Sequence, residues 1–169
     1  MELIKFELDL FDITEKRVLT KMLYFYLKEI EPTLVKDIAF SDFFYQYLDL
    51  YWKEQNRIPL KIQSGTQILG FVLINDYIKN HAYNADWAIA EFYIKPSFRL
   101  KNIGKKVAFQ IFDTYGGKWE VRQSTSNLSA IKFWHKIIKE YTQNSFKEVI
   151  SQEEIIQLFS SRQILDNNR

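Results

Sequence analysis

Glu91–Phe112, EFYIKPSFRLKNIGKKVAFQIF, decides the fold. Phe92-Tyr93-Ile94, following Glu91, has the composition of a strand and stops at Pro96, which cannot donate to a sheet. The period then changes. Ile103, Val107, Ala108, Ile111 and Phe112 fall on one face of a helix predicted over Asn102–Tyr115. Between strand and helix lies the loop Arg99-Leu100-Lys101-Asn102-Ile103-Gly104. Backbone N–H groups at a helix start lack intrahelical partners and sit at the positive end of the helix dipole. Asn102 and Gly104 tolerate unusual backbone angles, so the loop can curl those donors around a phosphate. Lys95, Arg99, Lys101, Lys105 and Lys106 add cations close by. These are the requirements for gripping a pyrophosphate. They also suit an ordinary strand–loop–helix connection with a solvated basic face, and the residues alone leave both open.

Outward from this stretch the pattern stays regular. Ala85–Ile94 reads as a strand, and Ile58–Gln63 and Gln67–Asn75 read as a hairpin joined at Ser64-Gly65. Asp12 and Glu15 have capping-box spacing ahead of Val18, Leu19, Met22, Leu23, Tyr26, Leu27 and Ile30, which recur at helical spacing until Pro32. Ser41 can cap a second helix through Phe43–Trp52. Downstream, Gly116-Gly117 supplies the left-handed backbone that ends a helix, and Trp119–Gln123 is a short strand. Asn127 can cap a helix over Leu128–Tyr141. Ser151 and Glu154 have capping-box spacing before Ile155, Ile156, Leu158 and Phe159, yet those residues could equally pair as a strand with Phe146–Ile150. The order is two helices, three strands, helix, strand, helix and a terminal pair, which suggests a mixed sheet with helices on its faces.

Composition narrows the chemistry. A chain of 169 residues fits one domain and buries about 70% of its unfolded surface. A formal charge of +2 does not by itself point to nucleic acid or a membrane surface. The absence of Cys rules out a disulfide framework, a thiolate metal site and a cysteine nucleophile. With His81 and His135 the only histidines, a His-rich metal site is not expected. MELIKFELDLFD mixes acidic and apolar residues, unlike a signal peptide, and no run reaches the roughly 20 apolar residues of a membrane span. The expected compartment is the cytoplasm. The many aromatics can fill a core or line a cavity.

Arg99-x-x-Asn102-x-Gly104 resembles the acetyl-coenzyme A signature of the GNAT N-acetyltransferases, Arg/Gln-x-x-Gly-x-Gly/Ala, with Asn102 in place of the first Gly. Asn also enters left-handed backbone regions, so the departure is tolerable. Phe92-Tyr93-Ile94 resembles the family strand whose backbone pairs with the pantetheine arm. Asn127-Leu-Ser-Ala130-Ile-Lys-Phe133-Trp134 is similar to the second family signature, in which the Asn contacts the arm and the aromatics flank it. The runs at 47–52 and 70–71 resemble a bacterial branch of predicted acetyltransferases. The likeness covers roughly residues 15–160.

The resemblance implies an α/β (α+β) fold: a mixed, mostly antiparallel twisted sheet flanked by helices and splayed between strands ending near Ile94 and Gln123. It implies one N-acetyltransferase domain over residues 1–169, and a strand over Glu154–Ser160. It implies acetyl-coenzyme A as cosubstrate, no metal, and an amine acceptor that is a small molecule, peptide or protein. Neither nucleic acid nor membrane is an expected partner; a homodimer is left open. Cofactor contacts are expected from Phe92, Tyr93, Ile94, Arg99, Leu100, Lys101, Asn102, Ile103, Gly104, Lys105, Asn127, Phe133 and Trp134. A backbone N–H near Tyr93 or Ile94 is expected to polarise the thioester carbonyl.

The proton-transfer groups depart from the family pattern. A Glu base common in the family falls at Ala88, and the usual Tyr acid falls at Trp134, whose indole has no proton to give at accessible pH. Glu91 lies on the same strand, but its odd register points it to the face opposite position 88 unless a bulge re-aims it. Asp86 shares the parity of position 88. Coenzyme thiolate, with an ordinary thiol pKa of about 8.5, can leave without a dedicated acid. Tyr26, Tyr47, Tyr51 and Trp52 are candidates to line the acceptor pocket. The competing reading is an acetyl-coenzyme A sensor, or a catalytically inactive interaction domain, on the same fold.

Overall fold

The apolar alternations become seven strands in a computed structural model that describes residues 5–99 and 102–162. They are β1 (Glu7–Leu10), β2 (Ile58–Ser64), β3 (Gln67–Asn75), β4 (Trp87–Ile94), β5 (Lys118–Ser124), β6 (Lys147–Ile150) and β7 (Glu154–Ser160). They form one sheet in the order β1-β2-β3-β4-β5-β7-β6. Every neighbouring pair is antiparallel except β4 and β5. The helices are α1 (Lys16–Ile30), the single turn α2 (Pro32–Val35), α3 (Ile103–Tyr115) and α4 (Leu128–Tyr141).

Local signals account for most of the boundaries. Asp12 and Glu15 close a full capping box on the 3-10 turn that runs into α1. Gly65 turns the β2–β3 hairpin at φ +57°, and Gly116 and Gly117, both at positive φ, end α3. The Asn127 side chain accepts from the Ala130 N–H and caps α4. Residues 147–160 form a strand pair. Ser151 Oγ accepts from the Glu153 and Glu154 N–H groups, so capping-box spacing serves here to bind a hairpin loop.

Two sequence expectations are corrected. A strand, β1, precedes α1: Glu7–Leu10 pairs with Leu60–Gln63, and Leu8 packs on the core. Phe43–Trp52 is not a helix. Short 3-10 turns at Phe40–Asp42 and Leu48–Trp52 flank an extended stretch, Tyr47 sits at φ +64°, and Ser41 caps nothing, its hydroxyl bonding to Asp42. Consecutive aromatics lose rotamer freedom in a helix. Here they gain more by splitting, with Phe43 and Tyr45 packed against the core and Phe44 facing solvent.

The sheet separates two cores. On one face α1 packs Leu19, Met22 and Leu23 with Leu48, Tyr51, Phe71, Leu73 and Tyr93. On the other, α3 and α4 pack Val107, Ile111, Phe112, Trp134 and Ile138 with Val72, Ile89, Trp119 and Val121. Strand β3 lies against β4 so closely at Gly70 that a Cβ there would stand 2.1 Å from the Tyr93 carbonyl oxygen. Backbone, unlike a side-chain end, has little room to yield. Gly70→Ala is therefore expected to cost about 2–3 kcal/mol, read as a lower urea midpoint at unchanged m. An unaltered midpoint would show that β3 and β4 can part freely.

Candidate active site

Strands β4 and β5 run in parallel register only at Trp87↔Trp119, Ala88↔Glu120 and Ile89↔Val121. Beyond that they part, so the splay expected between Ile94 and Gln123 is present. The Lys95 N–H bonds to the Leu69 carbonyl on β3. Amide directions alternate along a strand, so Phe92 and Ile94 turn their N–H and C=O groups into the gap. The Ile94 carbonyl is reached there by Arg99 Nε at 2.7 Å.

On the α3–α4 side, Asn102 has φ +57° and ψ +11°, the left-handed geometry that a Gly would supply. No side chain caps α3, and its first i→i−4 bond runs from the Lys106 N–H to the Asn102 carbonyl. The N–H groups of the preceding turn thus lack intrahelical partners. At Gly104 a Cβ would come within 3.1 Å of two Phe133 ring carbons and 3.7 Å of Phe92, so the glycine lets the helix start settle onto those rings. Phe92 in turn stacks edge-on at 5.0 Å against Trp134, which is buried. Ile103 is buried too, pinning the first turn to the core.

The cations near the loop are largely spent on protein. Lys95 donates to the Ile68 carbonyl, Arg99 pairs with Glu29 while lying over Tyr93, and Lys105 pairs with Glu140. Leu100 and Lys101 lie outside the described residues. What this loop has free to offer a ligand is therefore mainly backbone N–H groups at the helix start, rather than ammonium or guanidinium charge.

The opposite face holds the titratable groups. Opposite β3, Leu73 pairs with Glu91 and Ile74 with Ile89, so β4 bulges at Ala90. Strand parity places Glu91 away from position 88; the extra residue cancels that parity. Ala88 pairs with Asn75, whose side chain reaches Tyr51, and Glu91 meets Tyr45 and Tyr26, all on the α1 face. Tyr45 Oη donates to Glu91 Oε1 at 2.6 Å, and the Tyr26 hydroxyl lies close enough to act on the same carboxylate. Glu91 keeps some open surface, as a cleft residue does, yet burial dominates its titration and raises its pKa above the ordinary carboxylate value. The two tyrosyl hydroxyls and the Arg122 charge pull the other way without prevailing. Burial, then the Glu91 charge, raises the pKa of Tyr26 and Tyr45, so both stay protonated donors.

The remaining candidates divide. Tyr26 lies beside Tyr93 and Phe71 at the site. Tyr51 is buried under it, its pKa pushed up to about 12 chiefly by burial. Tyr47 is exposed, and Trp52 donates to the Phe11 carbonyl in a separate hollow with Lys16 and Asp49; neither joins Glu91. Asp86 accepts from the Lys118 N–H at the joined end of β4 and β5, away from the gap. Tyr45 was missed because only the broken aromatic stretch brings it to Glu91; nothing in its local sequence marks it. Also unforeseen is buried Glu120, which accepts from the Lys79 and Asn80 N–H groups and pairs with Arg122, holding the loop beside the gap. Among the described residues no group of three or more His, Asp or Glu could hold a metal, and no helix is long and apolar enough to cross a membrane.

No protein-family model matches the sequence, and no curated protein matches it. Solved structures do, several of them acetyltransferases. An acetyltransferase from Thermus thermophilus superposes with a TM-score of 0.66 at 12% identity, covering 95% of this chain and 99% of its own. The PaiA N-acetyltransferase from Thermoplasma acidophilum, in complex with coenzyme A, gives 0.59 at 16% identity over 90% and 98%. A spermidine N-acetyltransferase from Vibrio cholerae, in complex with coenzyme A and spermine, gives 0.59 at 10% over 90% and 93%. At these identities the likeness establishes the fold. This chain has the GNAT fold, with its split between β4 and β5.

Proposed function

We propose that residues 1–169 form one acetyl-coenzyme A-dependent N-acetyltransferase domain that acetylates a primary amine. The observation that carries the reading is the pairing of two different sites across one gap. On one side is a helix start built for an anion, with left-handed Asn102 and a Gly104 that no Cβ could replace without crowding Phe133. On the other is a half-buried carboxylate of raised pKa. The fold neighbours crystallised with coenzyme A support the first half.

Acetyl-coenzyme A, when bound, supplies an acetyl thioester. The α3 start would hold its pyrophosphate, and Phe92 and Ile94 offer backbone donors and acceptors to its arm and thioester carbonyl. Of the two positions expected to polarise that carbonyl, amide alternation favours Ile94 over Tyr93. Glu91 accepts a proton from the acceptor's ammonium, freeing the neutral amine to form the new C–N bond as the C–S bond breaks. The proton the nitrogen then sheds to become an amide is taken up by the released thiolate. Tyr45 fixes the carboxylate with its hydroxyl donor, with the Tyr26 hydroxyl beside it. Buried Trp134 takes no part as an acid, and the thiolate leaves unaided.

Acetyl-coenzyme A at 100 times its Kd is expected to raise the Tm by about 5–10 °C through mass action on the native state. No shift at millimolar ligand would remove the cofactor reading. Thiol release with polyamines, aminoglycosides, amino acids or peptides then separates an enzyme from a sensor; silence with every amine class would favour the sensor.

A further inference from the structure

A chain of side-chain amides crosses the α4 face of the sheet and ends on an oxygen with nothing to accept. Glu148 Oε2 accepts from Gln157 Nε2 at 2.9 Å, and Gln157 Oε1 accepts from Gln123 Nε2 at 2.8 Å. Nδ1 of His135 on α4 lies 3.2 Å from the same Glu148 oxygen. An ionised carboxylate offers no donor, so Glu148 fixes which way both amides face. Gln157 must turn its nitrogen to Glu148 and its oxygen to Gln123, and Gln123 must answer with its nitrogen. Gln123 Oε1 is left over, buried and without a hydrogen-bond partner, in a residue that is 5% exposed. A buried acceptor left unpaired costs about 1–3 kcal/mol.

Its place in the fold suggests what completes it. Gln123 stands two residues past Val121, the last β5 residue paired with β4, where the strands have already parted. Strand β5 runs without a bulge against β7, so Gln123 shares the face of Trp119 and Val121. That is the side of α3, α4 and Phe92. Glu91, Tyr26 and Tyr45 occupy the other face, so an acceptor amine held by Glu91 is on the wrong side to reach this oxygen.

We propose that Gln123 is a positioning residue for the pantetheine arm, its Oε1 accepting a hydrogen bond from an arm amide N–H. The inference rests on the coenzyme A reading above. The oxygen is closed to solvent in the free chain, so the arm reaches it by displacing a neighbouring side chain. Calorimetric titration of coenzyme A into Gln123→Met is expected to show about tenfold weaker binding than wild type. Adenosine 3′-phosphate 5′-diphosphate, which has no arm, should bind both chains alike. Equal loss for both ligands, or loss for neither, overturns the proposal; loss for neither with a lower Tm would assign the oxygen to a buried water. Wild type provides a test independent of the variant's folding. Of two coenzyme A analogues, each with one arm amide replaced by an ester, one should bind wild type about tenfold more weakly and Gln123→Met no more weakly than coenzyme A does, a pattern a bond to a β4 carbonyl would not give. If both bind like coenzyme A, the inference falls alone. If wild type binds no coenzyme A, the cofactor reading falls and takes the inference with it.

Discussion

Glu91→Gln should lower kcat about 100- to 1,000-fold while leaving the Kd for coenzyme A unchanged, since a positioned base contributes about 10²–10⁴. The substitution keeps the shape of the side chain and an oxygen for Tyr45 Oη, so the pocket is preserved and only the proton acceptor is lost. The pH profile makes the assignment specific. A base works deprotonated, so wild-type kcat/KM should rise with pH through the raised Glu91 pKa, and that limb should vanish in the variant. Stability should move in the opposite sense. A carboxyl whose folded pKa lies above its unfolded value binds more protons when folded, so stability falls as pH rises from the unfolded pKa through the folded one. Glu91 is thus a liability at neutral pH, and Glu91→Gln should be no less stable than wild type there, with a flatter dependence across that window. A variant that loses activity and Tm together, with an unchanged pH limb, would make Glu91 a structural residue.

How much of this was legible in the sequence depended on how local the cause was. Asp12 and Glu15, Pro96, Gly116-Gly117 and Asn127 each set a boundary within a few residues of themselves, and each appears where the spacing places it. The left-handed backbone at Asn102 was readable for the same reason. Strand β1 carried a legible signal, the alternation Glu7-Leu8-Asp9-Leu10, but only one strand's worth and at the sheet edge. Ser151 and Glu154 show the limit of local spacing, because the same side-chain-to-backbone bond serves a helix cap or a hairpin loop.

The face that carries Glu91 depended on distant pairings. Whether Glu91 faces Tyr45 or the α3 side turns on one extra residue at Ala90, and that bulge exists only in the register with β3. Alternation read along β4 alone gives the wrong face. Tyr45 is 46 positions away from Glu91 and reaches it because the chain fails to form a helix there. The amide chain behind Gln123 draws on β5, β6 and β7 together. None of these has a signature within its own segment.

Gly104→Val should weaken coenzyme A binding at least 100-fold, about 2.7 kcal/mol, while the far-UV spectrum stays native. The space beside Gly104 is already filled: a bare Cβ meets Phe133 at 3.1 Å, and the two methyls of Val reach farther. Either the first turn of α3 lifts away from the sheet or the Phe133 ring moves toward Phe92 and the gap. Lifting the turn displaces the N–H groups that would meet the pyrophosphate, and the hydrogen bonds they make fall off steeply with angle. Moving the ring narrows the passage for the arm. The fold bears the change better, because a ring edge yields by tenths of an ångström and the helix loses glycine's excess backbone entropy. Overpacking of this kind costs about 1–3 kcal/mol, partly offset by that gain, so Tm should fall by only a few degrees. Gly104→Ala, with the Cβ alone, should fall between wild type and Val in affinity. If calorimetry finds wild-type affinity in a natively folded Gly104→Val chain, the anion site is not at the start of α3, and the cofactor must be held elsewhere along the gap.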